Sequence, residues 1–170
     1  QKSMMLPVGT VIKYNYYPHG NDGKIKPYWF IIMGRTPIVH QPQHYLMFKT
    51  TAQLDYYDKT AGIRKNSVHK ILECKNYTCF ERDCCIDFDL TVFDRHTVPE
   101  IKCLIDSGKV EVKGQFNSIL LELYNLSIKG KGASLELKKL FHSTFNTDGY
   151  TGLNMPKAHD RDYYRKKYSR

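Results

Sequence analysis

The chain has 170 residues, 41% hydrophobic and 13% aromatic, with a formal net charge of +9. That is enough apolar material for a core in one domain, and it excludes wholesale disorder. No apolar run reaches the roughly 18 residues a bilayer span needs, and Gln1-Lys2-Ser3 before Met4-Met5 does not read as a targeting n-region. The expectation is a cytoplasmic protein without membrane contact.

Residues 8–17, rich in β-branched and aromatic side chains, predict a first strand. Pro18-His19-Gly20-Asn21-Asp22-Gly23 is the strongest turn composition in the chain. Tyr28 to Gly34 is apolar on both faces and predicts a central strand, preceded by the basic Gly23-Lys24-Ile25-Lys26-Pro27. Val39 to Phe48 predicts a third strand whose early part Pro37 and Pro42 confine to an edge or bend. Polar 55–65 reads as a loop. His69 to Cys74 and Cys84 to Leu90 read as two more strands flanking a hairpin-like excursion.

The second half reads as helical. Pro99 suits a first helical position, Ile101, Leu104 and Ile105 share a face, and Gly108 sits where a terminating glycine belongs. Phe116, Ile119, Leu120, Leu123 and Leu126 recur at helical spacing up to Gly130. Gly130-Lys131-Gly132 reads as a hinge, and Ser134 to about Phe145 as a third helix. Strands first and helices later predict an α+β chain: a small antiparallel barrel decorated by helices.

Charge is uneven. From Lys129 to Arg170 ten Lys and Arg stand against four Asp and Glu, a net of +6, leaving +3 for residues 1–128. The last residues interleave Arg165, Lys166 and Lys167 with tyrosines, which suits an arm that neutralises phosphates and stacks on bases; a solubilising tail or an acidic protein partner is the alternative. Lys24 and Lys26 before the apolar strand, with Phe48-Lys49-Thr50-Thr51 at the end of the next, set cations and hydroxyls at neighbouring strand ends. A polyanion or a scissile phosphodiester needs such a site. The same pattern also reads as a solvated hairpin loop beside a core strand.

Other constellations are weaker. Cys74, Cys79, Cys84 and Cys85, with His69 upstream, invite a zinc reading, but adjacent cysteines seldom share one ion, so buried reduced thiols are expected and no metal. Asp83, Asp87, Asp89 and Asp94 could hold Mg²⁺, yet read first as a solvated strand face. No Walker A, dinucleotide-binding, zinc-protease or hydrolase-elbow pattern occurs.

The order of these elements resembles the MazF/PemK family of toxin ribonucleases. Val8-Gly9-Thr10-Val11-Ile12 is similar to that family's opening strand. Gly23-Lys24-Ile25-Lys26-Pro27 with Tyr28-Trp29-Phe30-Ile31-Ile32 resembles its basic-Pro element and apolar strand, and Phe48-Lys49-Thr50-Thr51 its strand ending in a hydroxyl. The resemblance spans residues 8–128 and implies an SH3-like barrel domain over 6–128, with a basic helical extension and tail over 129–170. It implies a metal-independent endoribonuclease of toxin–antitoxin type acting on single-stranded RNA, without cofactor, with an acidic antitoxin as partner and a homodimer as assembly. Lys26 stands where the family has arginine, a point charge in place of a bidentate fork.

The implied catalytic set is Lys26, Thr51 and His19. Lys24, Lys49, Thr50, Arg35, Tyr17, Arg165, Lys166 and Lys167 are the RNA-binding candidates. The alternative on the same barrel is a non-catalytic nucleic-acid- or protein-binding module.

Overall fold

A computed structural model of the chain describes residues 5–20 and 22–157. The strands are β1 (Thr10–Tyr17), β2 (Lys26–Arg35), β3 (Tyr45–Thr51), β4 (His69–Leu72), β5 (Cys84–Asp87) and β6 (Val110–Gln115). The helices are α1 (Val98–Asp106), α2 (Leu120–Lys129) and α3 (Leu135–Thr147). One six-stranded sheet runs β4-β5-β3-β2-β1-β6, with every pairing antiparallel. It is an open sheet rather than the closed barrel the sequence suggested. Its end strands are only four and six residues long and four strands apart, and helices cover the faces instead.

Strand alternation divides the core between two faces. Val11, Ile31 and Phe48 point to one, where they join Leu120 and Leu123 of α2 and Phe141 and Phe145 of α3. Ile12, Phe30 and Met47 point to the other, packing with Val98 and Ile101 of α1 and with Val110. β2 is buried on both faces from Phe30 onward, as its unbroken apolar run required. α3 is part of this body: Phe141 and Phe145 are fully buried, so the segment read as an extension begins with a core helix.

Three local readings need correction. β6 was missed, although Val110-Glu111-Val112-Lys113 alternates apolar and polar; it pairs with β1 and forms one edge. The third strand begins at Tyr45, six residues later than expected, because residues 36–44 form a bend containing a cis Gln41–Pro42 bond. Gly130-Lys131-Gly132 is no hinge. The Gly132 N–H donates to the Phe88 carbonyl at 2.9 Å, and a Cβ at Gly132 would lie 1.9 Å from the Leu90 carbonyl oxygen. Only glycine lets the two backbones meet so closely.

Other signals hold. Thr97 and Glu100 form a reciprocal capping box at the start of α1, with Pro99 in its first turn, and Gly108 takes φ +77° just past its end. The acidic face is not solvated, however. Asp87 is 1% exposed. Its carboxylate accepts from Tyr57 Oη at 2.9 Å and Arg64 Nε at 2.6 Å, tying the 52–68 excursion to β5. Burial opposes its charge, but the Arg64 and backbone hydrogen bonds outweigh that and hold its carboxyl below the usual range. Asp89 accepts from the backbone N–H groups of Val68 and Lys131.

Candidate functional site

β2 begins, β3 ends and β5 begins at the same edge of the molecule, because all three are antiparallel neighbours in the register Phe30↔Lys49 and Thr51↔Cys85. Between these ends and the 80–84 segment lies a cleft of about 430 Å³, lined by Lys26, Tyr28, Trp29, Lys49, Thr51 and Arg82 among others. Lys26, Lys49, Thr50 and Thr51, picked from the sequence as one constellation, therefore do meet in space.

The cations are arranged around aromatic rings. Lys49 Nζ lies 4.2 Å from the centroid of the Tyr28 ring and Lys26 Nζ 5.6 Å from the same ring. Lys13 Nζ lies 4.8 Å from the Trp29 ring and pairs with Glu81 at 3.0 Å. Such contacts hold an ammonium in place without neutralising it. Burial, and then the Lys26 charge, push the Lys49 ammonium below its ordinary pKa. Lys26 moves the opposite way, raised by its 2.7 Å hydrogen bond to the exposed Asp22 carboxylate. Lys49 is thus the better proton donor of the two, and Lys26 the more durable cation.

The two threonines differ. Thr50 is 8% exposed and donates to the Trp29 carbonyl at 3.2 Å, so it braces β3 against β2 and is not free for RNA. Thr51 is half-buried, and its hydroxyl oxygen accepts from the Gln53 N–H at 3.2 Å, leaving its own hydrogen free to donate into the cleft. Trp29 Nε1 is buried without a partner. The Cys84 thiol also lines the cleft, but burial pushes its pKa up to about 12, so it is no nucleophile at neutral pH.

The remaining candidates are scattered. His19 is exposed in the turn after β1, edge-on to the Tyr17 ring at 5.5 Å, and is not among the residues lining the cleft. Lys24 is exposed in the same turn, its backbone N–H donating to Asp22. Tyr17 is 1% exposed, a core residue rather than a surface for stacking. Arg35 ends β2 where Lys26 begins it, about 30 Å away at strand rise. Its buried guanidinium forms a bidentate pair with Asp148 and donates to the Leu6 carbonyl. It binds the α3 terminus and not RNA. Arg165, Lys166 and Lys167 lie outside the described residues.

Asp22, Arg82 and Trp29 completed the cleft without being singled out as site residues. For Trp29 a signal existed, since it immediately follows Tyr28 beyond the basic-Pro element. Arg82 had none, because only the tertiary path of the 73–83 excursion brings it there. All five cysteines are free. Among the described residues no group of three or more His, Cys, Asp or Glu is placed to hold a metal ion, and no helix is long and apolar enough to cross a membrane. No protein-family model, curated protein or solved structure matches the chain.

Proposed function

We propose that the cleft at the β2, β3 and β5 ends binds single-stranded RNA and cleaves it without a metal ion. The observation that carries this reading is the pair Lys26 and Lys49 against the Tyr28 ring, beside Trp29 and the free Thr51 hydroxyl. Lysines held against aromatic rings at one site, Lys49 of them without an acidic partner among the described residues, suit a flexible polyanion with exposed bases. The element order that resembles MazF/PemK toxins supports the same reading; a close relation to their SH3-like barrel and an acidic antitoxin lying over the cleft are parts of this proposal.

In the reaction, the ribose 2′-oxygen attacks the adjacent phosphorus. The P–O2′ bond forms, the P–O5′ bond breaks, and the product is a 2′,3′-cyclic phosphate. Lys26 stabilises the charge that develops on the phosphorane, and Thr51 donates to a non-bridging oxygen. Lys49 supplies the proton that leaves on the 5′-oxygen, and His19 receives the 2′-hydroxyl proton as the RNA draws its turn over the cleft.

A second reading, RNA binding without cleavage, is favoured by one observation: Lys26 is held by Asp22 at 2.7 Å. Incubating long single-stranded RNA with the protein in EDTA separates the two. Discrete fragments ending in 2′,3′-cyclic phosphate are expected. Intact RNA alongside measurable binding would replace the nuclease with the binding module.

A further inference from the structure

The proposed reaction draws its groups from the β1–β2 turn, β2 and β3. The facing wall of the cleft, the 80–84 segment leading into β5, carries a cation that this chemistry leaves idle. Arg82 lines the cleft and is exposed, and its side chain forms no ion pair or hydrogen bond among the described residues. The acids on either side of it are engaged elsewhere. Glu81 pairs with Lys13 of β1 at 3.0 Å, and Asp83 accepts from the Cys74 N–H at 2.8 Å. Across the cleft, Lys26 is held by Asp22 at 2.7 Å. Of the cations lining the cleft, Lys49 and Arg82 are therefore the ones without an acidic partner among the described residues.

Sheet register places Arg82 relative to the reacting groups. Thr51 stands opposite Cys85, and continuing the Phe30↔Lys49 register puts Tyr28 on the other side of Thr51. β2 and β5 both start at the cleft. Lys26, two residues before Tyr28, and Arg82, three before Cys85, thus lie beyond this row on the same side. Their strands are two spacings apart, about 10 Å, with β3 between them. Two long side chains so placed can reach neighbouring phosphates of one extended strand. They also differ in kind: an ammonium is a point charge, whereas a guanidinium is a planar fork that holds two oxygens of one phosphate.

We propose that Arg82 holds the phosphate on the 3′ side of the scissile one, so that RNA crosses the sheet with its 5′ end over the β1–β2 turn and its 3′ end over β5. The direction follows from the roles of the other residues. His19, which takes the 2′-hydroxyl proton, is in the β1–β2 turn, whereas Lys49, which protonates the departing 5′-oxygen, is on β3. The 2′-hydroxyl belongs to the nucleotide before the scissile phosphate and the 5′-oxygen to the one after it. The strand order β1-β2-β3-β5 in space therefore leads from the first nucleotide to the second, and the next phosphate falls to Arg82. Arg82 binds and positions; it moves no proton, since a guanidinium stays charged. This polarity rests on the RNA reading and adds a substrate requirement to it. Full affinity needs an RNA that continues past the cleaved bond by at least one phosphate.

The test uses uncleavable 2′-O-methyl probes with the full chain, followed by Trp29 fluorescence: a dinucleotide, the same dinucleotide with a 3′-terminal phosphate, and one with a 5′-terminal phosphate. The 3′-phosphate should tighten binding to the wild-type protein about tenfold, and the 5′-phosphate by less than about twofold. Arg82→Gln, an exposed change outside every strand and helix, should abolish the 3′ gain. It should also reduce the salt slope for a longer 2′-O-methyl RNA by about 0.7. Arg82→Lys should keep that slope yet lose most of the gain, because the charge remains and the fork does not. A 3′ gain that survives Arg82→Gln, or an unchanged slope in that variant, would overturn the assignment while leaving the RNA reading intact. A gain found with the 5′-phosphate instead would overturn the polarity, and the proposal with it. Failure of the wild-type protein to bind even the longer RNA would refute the RNA reading itself, and Arg82's role in it.

Discussion

Asp148→Asn should be among the most damaging single-atom changes available in this fold. Arg35 is 7% exposed and its side chain is held by both Asp148 carboxylate oxygens, one of which also accepts from the Val8 N–H at 2.8 Å. The amide keeps the shape and one acceptor but removes the counter-charge, leaving a buried guanidinium with one amide oxygen and the Leu6 carbonyl and no anion. Removing one partner of a buried ion pair costs about 3–5 kcal/mol, and the conservative replacement belongs near the lower figure. For a chain of this size about 3 kcal/mol lowers Tm by roughly 6–12 °C. Thermal and urea unfolding of the variant read this directly. Replacing both partners, Arg35→Met with Asp148→Leu, should recover much of the loss, since no charge is then stranded. RNA affinity should not change in either variant. A stability loss under about 1 kcal/mol would refute the burial argument, and weakened RNA binding in a fully folded variant would return Arg35 to the binding surface.

Further outcomes follow from other features of the fold. Gly132→Ala should destabilise by several kcal/mol in urea unfolding, because its methyl meets the Leu90 carbonyl; an effect within about 0.5 kcal/mol would show that the 88–90 and 130–132 backbones separate easily. Burial lowers the His96 pKa in the folded chain below its unfolded value of about 6.5, so the unfolded state binds the proton more readily. This contribution to stability is present above about pH 6.5 and is lost as pH falls through that value toward the folded pKa. Urea midpoints across this range should show a decline that His96→Gln lessens, and an unchanged decline would contradict the assignment. Among the thiols, exposed Cys103 should alkylate rapidly, while Cys84 and Cys85, both pushed up to about 12 by burial, should stay unmodified until unfolding; mass mapping after brief iodoacetamide treatment decides this.

Much of the candidate cleft was legible because strand periodicity is local. The apolar run after Pro27 had to be a central strand, and that alone places Lys26 at a strand end beside Lys49 and Thr51. The choice between Thr50 and Thr51 follows from alternation too, but only once the buried face is known. Features that depended on distant partners were not legible. Arg35 looked like one more cation until Asp148, 113 residues on, claimed it. Asp87 looked solvated until Arg64 and Tyr57 folded over it. Tyr17 seemed a stacking surface because nothing in the β1 sequence reveals that His96 and α1 cover it. Barrel closure was a question of which edges pair, and β6 is short enough that its alternation was lost among helical signals.

Trp29 is the only tryptophan in the chain and lines the cleft, so its fluorescence reports on that site alone. The decisive measurement is a titration of the wild-type protein and of the Lys26→Ala/Lys49→Ala variant with a single-stranded oligoribonucleotide over a range of salt concentrations. The account predicts saturable quenching of Trp29 and a linear fall of log affinity with log salt. In the double variant the slope should shrink by about 1.4, about 0.7 for each phosphate that is no longer neutralised. RNA binding that leaves Trp29 undisturbed, or a slope the two lysines do not alter, would contradict it.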